Sequence, residues 1–132
     1  MSAAVNELLA AVTARLEADV ALVGLIGTGR ICDRRLPRGR EPYVMLGEVE
    51  CEDMSSDDDG LIVCHLTLTA WAAEGRRQVE AIAARIRAVL DDAALVLPTA
   101  VAVSLLHEKT ASRREEKSAL YRADIQFRSL LA

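Results

Sequence analysis

The chain has 132 residues, of which 52% are hydrophobic but only 3% are aromatic, and its formal net charge at pH 7 is −4. This length predicts a single domain over residues 1–132 that buries about two-thirds of its unfolded surface and needs no disulfide or metal ion for stability. The net negative charge argues against a general nucleic-acid binder held by phosphate contacts, and no apolar run approaches the roughly 20 residues that cross a bilayer.

Two helices are predicted at the start of the chain. Apolar residues recur every three or four positions over residues 3–18, which is typical of an amphipathic helix. Asp19 precedes a second, shorter helix at 20–26, where its carboxylate can accept a hydrogen bond from the first turn. The Gly-Thr-Gly at 27–29 lacks the Lys-Ser/Thr and the preceding strand of a phosphate-binding loop, so we interpret it as a break between elements.

Three strands are predicted in the middle of the chain. Residues 30–32 form a short one, and an Arg-, Pro- and Gly-rich loop at 33–42 leads to the second at 43–51. In that second strand, strict alternation places on one face Tyr43, Met45, Gly47 and Val49. An acidic turn at 52–60 precedes the third strand at 61–71, whose alternation is the clearest in the chain. Its buried face is predicted to contain Ile62, Cys64, Leu66, Leu68 and Ala70.

A helix and two further strands complete the chain. After Gly75 the apolar period changes to about 3.6 residues, which predicts a helix with one apolar stripe. The stripe contains Val79, Ile82, Ala83, Ile86, Val89 and Leu90. Strands at 99–108 and 119–131, separated by a charged segment, should pair as a long antiparallel hairpin. One side of the first of these strands carries Val101, Val103 and Leu105.

The order of helices and strands predicts an α+β fold. In this fold a single mixed, mostly antiparallel β-sheet packs against two main helices and ends in a long C-terminal β-hairpin. The helix after Gly75 follows a strand directly, with no reactive side chain between them, which is typical of a scaffold. We therefore expect the chain to function by assembly with other proteins.

We assign no residue to catalysis, to a cofactor or to a metal ion. Cys32, Cys51, Cys64 and His107 could meet as a zinc site, but the ligand-pair spacings of zinc modules are missing. An odd number of cysteines without a Cys-x-x-Cys pair is typical of reduced thiols in a cytosolic protein, with Cys64 as a small buried hydrophobe. No serine lies in a Gly-x-Ser-x-Gly context, so we expect no enzyme activity.

Three charged clusters are candidates for contacts with other protein chains. The basic loop contains Arg34, Arg35, Arg38 and Arg40. The acidic loop contains Asp53, Asp57, Asp58 and Asp59. The hairpin segment contains Arg113, Arg114, Glu115, Glu116 and Lys117. Charges in such clusters can select which partner docks and in which orientation it does so.

Each cluster also has other interpretations. The basic loop could contact phosphate, a neighbouring subunit or only solvent, and the scarcity of aromatic residues that stack on bases favours the protein over the phosphate. The acidic loop could hold a divalent cation, although consecutive aspartates do not match an EF-hand. The hairpin segment could be a plain polar turn. It is longer than the two residues that reverse a hairpin, which favours an arm reaching a neighbour.

The elements in this order resemble the tail-terminator or tail-completion family of long-tailed phages, prophages and gene transfer agents over nearly the whole chain. The most specific part is Pro-Tyr-Val-Met-Leu-Gly at 42–47, followed by Leu-Thr-Leu-Thr-Ala-Trp at 66–71. The Arg-rich helix after Gly75 and the final strand at 121–130 continue the series. The chain departs from the family in its few aromatic residues and its Arg-rich basic loop.

The resemblance implies a six-fold ring at the head-proximal end of a tail tube, which stops tube growth and offers a surface to the head connector. The partners would be further copies of the chain, the tail-tube protein and a connector protein, while DNA passes through the lumen without tight binding. The protein would assemble in the host cytoplasm and remain at the tail–neck junction of the virion or gene-transfer-agent particle. The family implies no cofactor, no membrane and no catalytic residue.

We expect the ring to form through head-to-tail contacts, because a heterologous interface gives a ring when its rotation closes. The basic loop or the hairpin segment of one subunit would meet the acidic loop of the next. Exposed ion pairs contribute only about 0–1 kcal/mol each, so the isolated protein could be monomeric until it meets a tail. Two alternatives stay open, namely a head-closure or head–tail adaptor ring and a regulatory binding module outside virions.

Overall fold

The computed structural model describes residues 2–56 and 60–132. Within these residues the chain forms three helices and five strands. In chain order they are α1 (Ser2–Glu17), α2 (Val20–Ile26), β1 (Ile31–Cys32), β2 (Tyr43–Asp53), β3 (Ile62–Ala72), α3 (Arg76–Leu90), β4 (Ala102–Glu115) and β5 (Leu120–Leu131). Three members of the acidic loop, Asp57, Asp58 and Asp59, lie outside the described residues.

The strands form one mixed sheet in the order β1-β2-β3-β5-β4. β1 runs parallel to β2, and every other neighbouring pair is antiparallel. β4 and β5 form the C-terminal hairpin, joined by a turn at 116–119. The predicted fold class is therefore confirmed, because the sheet is mixed but mostly antiparallel and ends in a long hairpin.

The main hydrophobic core lies between one face of the sheet and the helices. α3 packs directly on β3, β4 and β5, whereas α1 and α2 contact α3. Both the predicted stripe of α3 and the predicted face of β3 point into this core, which includes Leu66, Leu68, Ile82, Ile86 and Phe127. Each fully buried aliphatic or aromatic side chain stabilises the fold by roughly 1.5–3 kcal/mol, so this layer dominates the stability.

The alternation predicted for β2 is wrong beyond Leu46. Leu46 lies opposite Leu68, but Val49 lies opposite Leu66, so the pairing with β3 shifts between these positions. The shift is a β-bulge, which inserts one extra residue into one strand of a pair. Val49 consequently packs against the helix-covered core and does not share a face with Tyr43.

β4 begins and ends later in the chain than predicted. It covers Ala102–Glu115 instead of residues 99–108, so most of the hairpin segment belongs to the strand. The first three residues of that segment pair with β5, and only Glu116 and Lys117 lie in the turn. The interpretation of the hairpin segment as an unusually long tip is therefore wrong, because strand pairing continues up to a short turn.

The apolar side predicted for the start of this strand is also wrong. Leu105 is buried, but Val101 and Val103 are 60% and 55% exposed. The pairing of β4 with β5 shifts between Ala102 and Ser104. Residues before the shift therefore do not follow the alternation of residues after it, and their apolar side chains stay on the surface.

Candidate assembly surfaces

A smaller apolar cluster lies on the sheet face opposite the helices. Tyr43, Trp71 and Leu120 are buried there, and Leu36 and Met45 pack against them. The backbone N–H of Leu36 donates a hydrogen bond of 2.9 Å to the Tyr43 hydroxyl. Burial raises the pKa of this hydroxyl. Because Leu36 lies within the basic loop, these contacts hold that loop against the open face of the sheet.

The basic loop is joined to the hairpin segment within the same chain. Arg35 Nη2 lies 2.6 Å from Glu115 Oε1, and the Arg35 guanidinium lies 4.1 Å from the centroid of the Trp71 ring. Arg122 also lies over this ring at 5.0 Å, and its Nη2 lies 2.8 Å from Asp124 Oδ1. The hydrogen bond from Arg35 is the first cause that lowers the pKa of Glu115. Two predicted contact residues therefore bind each other before any partner arrives.

Most other members of the charged clusters are on the surface. Besides Arg35, the exposed residues of the basic loop and the hairpin segment are Arg34, Arg38, Arg40, Arg113, Arg114, Glu116 and Lys117. Asp53 is also exposed, and hydrogen bonds from the hydroxyl and backbone N–H of Ser55 lower its pKa. These side chains are accessible to a partner, whereas Arg35, although also exposed, is already paired with Glu115.

The basic loop and Asp53 of the acidic loop lie at opposite ends of the sheet. The loop packs beside Tyr43, the first residue of β2, whereas Asp53 is the last residue of the same strand. A strand of this length spans roughly 30 Å. The basic and acidic ends of one chain therefore cannot meet each other directly, but the basic end of one copy can meet the acidic end of another.

β4 is an edge strand whose first half is covered and whose second half is free. The backbone N–H of Asp92 donates to the carbonyl oxygen of Leu105 at 2.8 Å. The backbone N–H of His107 donates to Asp91 Oδ1 at 2.9 Å. Among the described residues, none forms a backbone hydrogen bond with the outer edge of 109–114. An unpaired edge of this kind can accept a strand from another chain.

An ion pair between Asp19 and Arg85 joins α2 to α3. Arg85 Nε lies 2.7 Å from Asp19 Oδ2, and Arg85 Nη2 lies 2.8 Å from Asp19 Oδ1. Asp19 Oδ2 also accepts from the backbone N–H of Leu22 at 2.9 Å, so the predicted cap of α2 is confirmed. The same carboxylate therefore caps α2 and fixes α2 to α3.

The four residues considered as zinc ligands are not brought together. Cys51 and Cys64 are neighbours, but His107 packs on the edge of the Phe127 ring, with ring centroids 5.6 Å apart. Across residues 2–56 and 60–132, no three His, Cys, Asp or Glu side chains are placed to hold a metal ion. No helix in the described part of the chain is both long and apolar enough to cross a membrane.

The fold and its surfaces define a small α+β protein with exposed charged clusters and, among the described residues, a free strand edge along β4. The model of the family described as Tail completion protein gp17 matches residues 10–132, and the chain therefore belongs to this family. The chain is also similar to one in the solved structure "Virion of native gene transfer agent (GTA) particle". The TM-score is 0.90 at 29% sequence identity, over 99% of this chain and 98% of that chain. No curated protein matches the sequence.

The family match confirms the resemblance seen in the sequence. A tail-completion protein is a structural component of a phage-type tail and takes part in virion assembly. The charged clusters and the free edge of β4 are therefore candidate surfaces for contact with other tail components.

Proposed function

We propose that residues 1–132 form one domain that assembles into a six-fold ring at the head-proximal end of a tail tube. The ring ends polymerisation of the tube and presents the surface that joins the head connector. The observation that carries this proposal is the match to the tail completion family over residues 10–132. The similarity to a chain of a gene transfer agent virion supports a place in the finished particle.

The placement of charge supports a head-to-tail contact between neighbouring subunits. The exposed arginines of the basic loop lie at one end of β2, and Asp53 lies at the other. In a ring built by rotation, every subunit presents one end to the neighbour before it and the other end to the neighbour after it. Opposite charges at the two ends are compatible with this arrangement, in which the basic end of one subunit meets the acidic end of the next.

The edge of β4 can supply the affinity that exposed ion pairs lack. Its free stretch at 109–114 offers backbone groups to another chain. In the first half of the same strand Val103 and Leu106 are exposed, as is Val101 directly before it. In this proposal the apolar and backbone contacts hold neighbouring subunits together, and the charged clusters fix their orientation and register.

The remaining parts of the proposal follow from the same role. The partners are further copies of the chain, the tail-tube protein and the head connector, and the protein needs no cofactor and has no enzyme activity. The net charge of −4 is compatible with DNA that passes through the lumen without tight binding. Subunits assemble in the host cytoplasm and then remain at the tail–neck junction.

Electron microscopy of particles from producing cells that lack this protein tests the proposal. We expect tail tubes of uncontrolled length, and tubes of normal length when the wild-type chain is supplied from a second copy of its gene. Finished tails of normal length that fail to join heads would identify a head-closure or adaptor ring instead. Particles that are unchanged would identify a regulatory module outside virions, and either of these results overturns the proposed terminator role.

A further inference from the structure

Two of the three thiols lie side by side on neighbouring strands. Cys51 of β2 is directly opposite Cys64 of β3, and their Sγ atoms are 2.7 Å apart. Residues directly opposite each other in an antiparallel pair have Cα atoms about 4.5–5.5 Å apart. A disulfide needs a Cα separation of about 4.4–6.8 Å, so the backbone already has the spacing that the bond requires.

The two thiols differ in their access to solvent. Cys64 is fully buried in the core, whereas Cys51 is exposed. Burial, as the larger cause, and the hydrogen-bonded thiol of Cys51 together raise the pKa of Cys64 to about 12. An oxidant in solution therefore reaches Cys51 first, and Cys64 reacts only as the internal partner of Cys51.

We propose that Cys51 and Cys64 form a reversible intramolecular disulfide when the protein meets a disulfide oxidant such as oxidised glutathione. The Cys51 thiolate attacks one sulfur of oxidised glutathione, forms a mixed disulfide and releases one reduced glutathione. Cys64 then loses its proton and attacks the Cys51 sulfur, which expels the second glutathione as a thiolate that takes up a proton. The two cysteines are oxidised by two electrons, and one oxidised glutathione becomes two reduced ones.

The bond would close a short loop that contains the whole acidic loop. Residues 52–63, which connect the two cysteines, include all four aspartates of that cluster. Closing such a loop restricts the unfolded chain and raises the stability of the folded one. The timing of the bond in the cell rests on the proposed function, because a particle released from the cytosol leaves a reducing compartment for an oxidising one. The formation of the bond does not depend on that function.

Mass spectrometry of the purified full-length protein tests the inference. The protein is incubated with oxidised glutathione, quenched with acid, and treated with an alkylating reagent under denaturing conditions. We expect the loss of two hydrogen atoms, a Cys51–Cys64 linked peptide and alkylation at Cys32 alone. The temperature of unfolding should rise by on the order of 10 °C, and dithiothreitol should reverse the rise.

Two variants provide the controls. Cys32→Ser keeps both partners of the proposed bond and should behave like the wild type. Cys51→Ser removes the accessible partner, so oxidised glutathione should leave its unfolding temperature unchanged. Alkylation of all three cysteines, a lasting glutathione adduct on Cys51, or a bond that involves Cys32 overturns the inference. None of these outcomes alters the tail-length experiment, so the two proposals can fail independently.

Discussion

Asp19 shows how a single side chain can serve two elements at once. Its carboxylate accepts from the first turn of α2 and pairs with both Nε and Nη2 of Arg85 on α3. The Asp19 side chain is 16% exposed and that of Arg85 is 40% exposed. Solvent therefore screens the pair, and we expect its contribution to stay near that of a well-formed surface ion pair.

Substitutions at Asp19 can separate the cap from the ion pair. Asp19→Asn retains a capping oxygen but loses the charge, whereas Asp19→Ala loses both. At neutral pH we expect the Asn variant to lower the free energy of unfolding by roughly 0.5–1 kcal/mol, and the Ala variant by roughly 1 kcal/mol more. Urea denaturation of the three proteins measures both differences. Equal stability of all three proteins would contradict the prediction.

The stabilisation by the charge of Asp19 should depend on pH in a defined direction. The hydrogen bond from Arg85 is the main cause that lowers the pKa of Asp19 from its usual 3.8 to about 2. A lowered pKa gives stability that is complete above the pKa of the unfolded chain and is lost as the pH falls through the folded value. The difference between wild type and Asp19→Asn should therefore shrink from about pH 5 to about pH 2. A difference that stays constant over this range would count against the pairing.

At the scale of single elements, the bulge in β2 depends on a close approach at Gly47. An added Cβ at Gly47 would lie 2.8 Å from the backbone carbonyl oxygen of Thr67 in β3. A backbone atom in the centre of the sheet cannot move aside as the end of a side chain could. Glycine at this position therefore allows β2 to take up its extra residue without losing β3 as a neighbour.

Replacement of Gly47 by alanine should destabilise the protein. We expect Gly47→Ala to lower the free energy of unfolding by about 1–3 kcal/mol, because the strand must shift to relieve the contact. Gly24→Ala in α2 is the matched control, since nothing lies within 4 Å of the added Cβ. Alanine also favours helix, so the control should be up to about 1 kcal/mol more stable than the wild type. Chemical denaturation of both variants measures these differences in the free energy of unfolding. An unchanged free energy of unfolding for Gly47→Ala would show that β2 can move away from Thr67 at little energetic cost.

The elements that the sequence predicts best are those with a clear pattern on one buried face. β3 lies within one residue of its predicted bounds and α3 begins directly after Gly75 as predicted, because each has one face in the main core. β2 and β4 are predicted less well, because a bulge reverses the alternation of buried and exposed side chains. The order of apolar and polar residues in the sequence does not reveal where such a bulge lies. The exposed edge of β4 adds to the difficulty, because an edge strand carries charged residues in place of an apolar repeat.

Contacts between distant charges lie beyond what periodicity can predict. Arg35 and Glu115 are both recognisable as charged surface residues, but 80 positions separate them. Their contact depends on the strand order, which places β5 between β3 and β4, and on the packing of the basic loop over Trp71. The sequence therefore identified the charged clusters but could not show that two of them are already joined.

At the scale of the whole molecule, the two faces of the sheet and the two ends of β2 differ from each other. Three helices of the described chain cover one face, the basic loop covers part of the other, and Asp53 lies at the far end of β2. In the proposed ring, the exposed ion pairs between subunits contribute only about 0–1 kcal/mol each. A tail tube that holds subunits side by side raises their effective concentration, so the same weak contacts can close a ring there and not in dilute solution.

Reversing the charge of the acidic loop tests this arrangement directly. We expect the combined change of Asp57, Asp58 and Asp59 to Lys to block ring formation on tails, because the basic loop of the neighbour would then meet like charge. A control with the same change in net charge places Lys at Glu17, Glu50 and Glu74, which are exposed and outside the three clusters. Both variants should unfold at temperatures within a few degrees of the wild type.

The partner of the acidic loop can be identified by exchanging the charges. A second variant adds Arg34→Glu, Arg38→Glu and Arg40→Glu to the reversed acidic loop, so that opposite charges face each other again. If these loops meet between subunits, this exchange should restore tails of normal length, as seen by electron microscopy of complemented cells. Normal tails made by the reversed acidic loop alone would disprove its role in the ring. Failure of the exchange, with the fold intact, would show that the acidic loop meets a different surface.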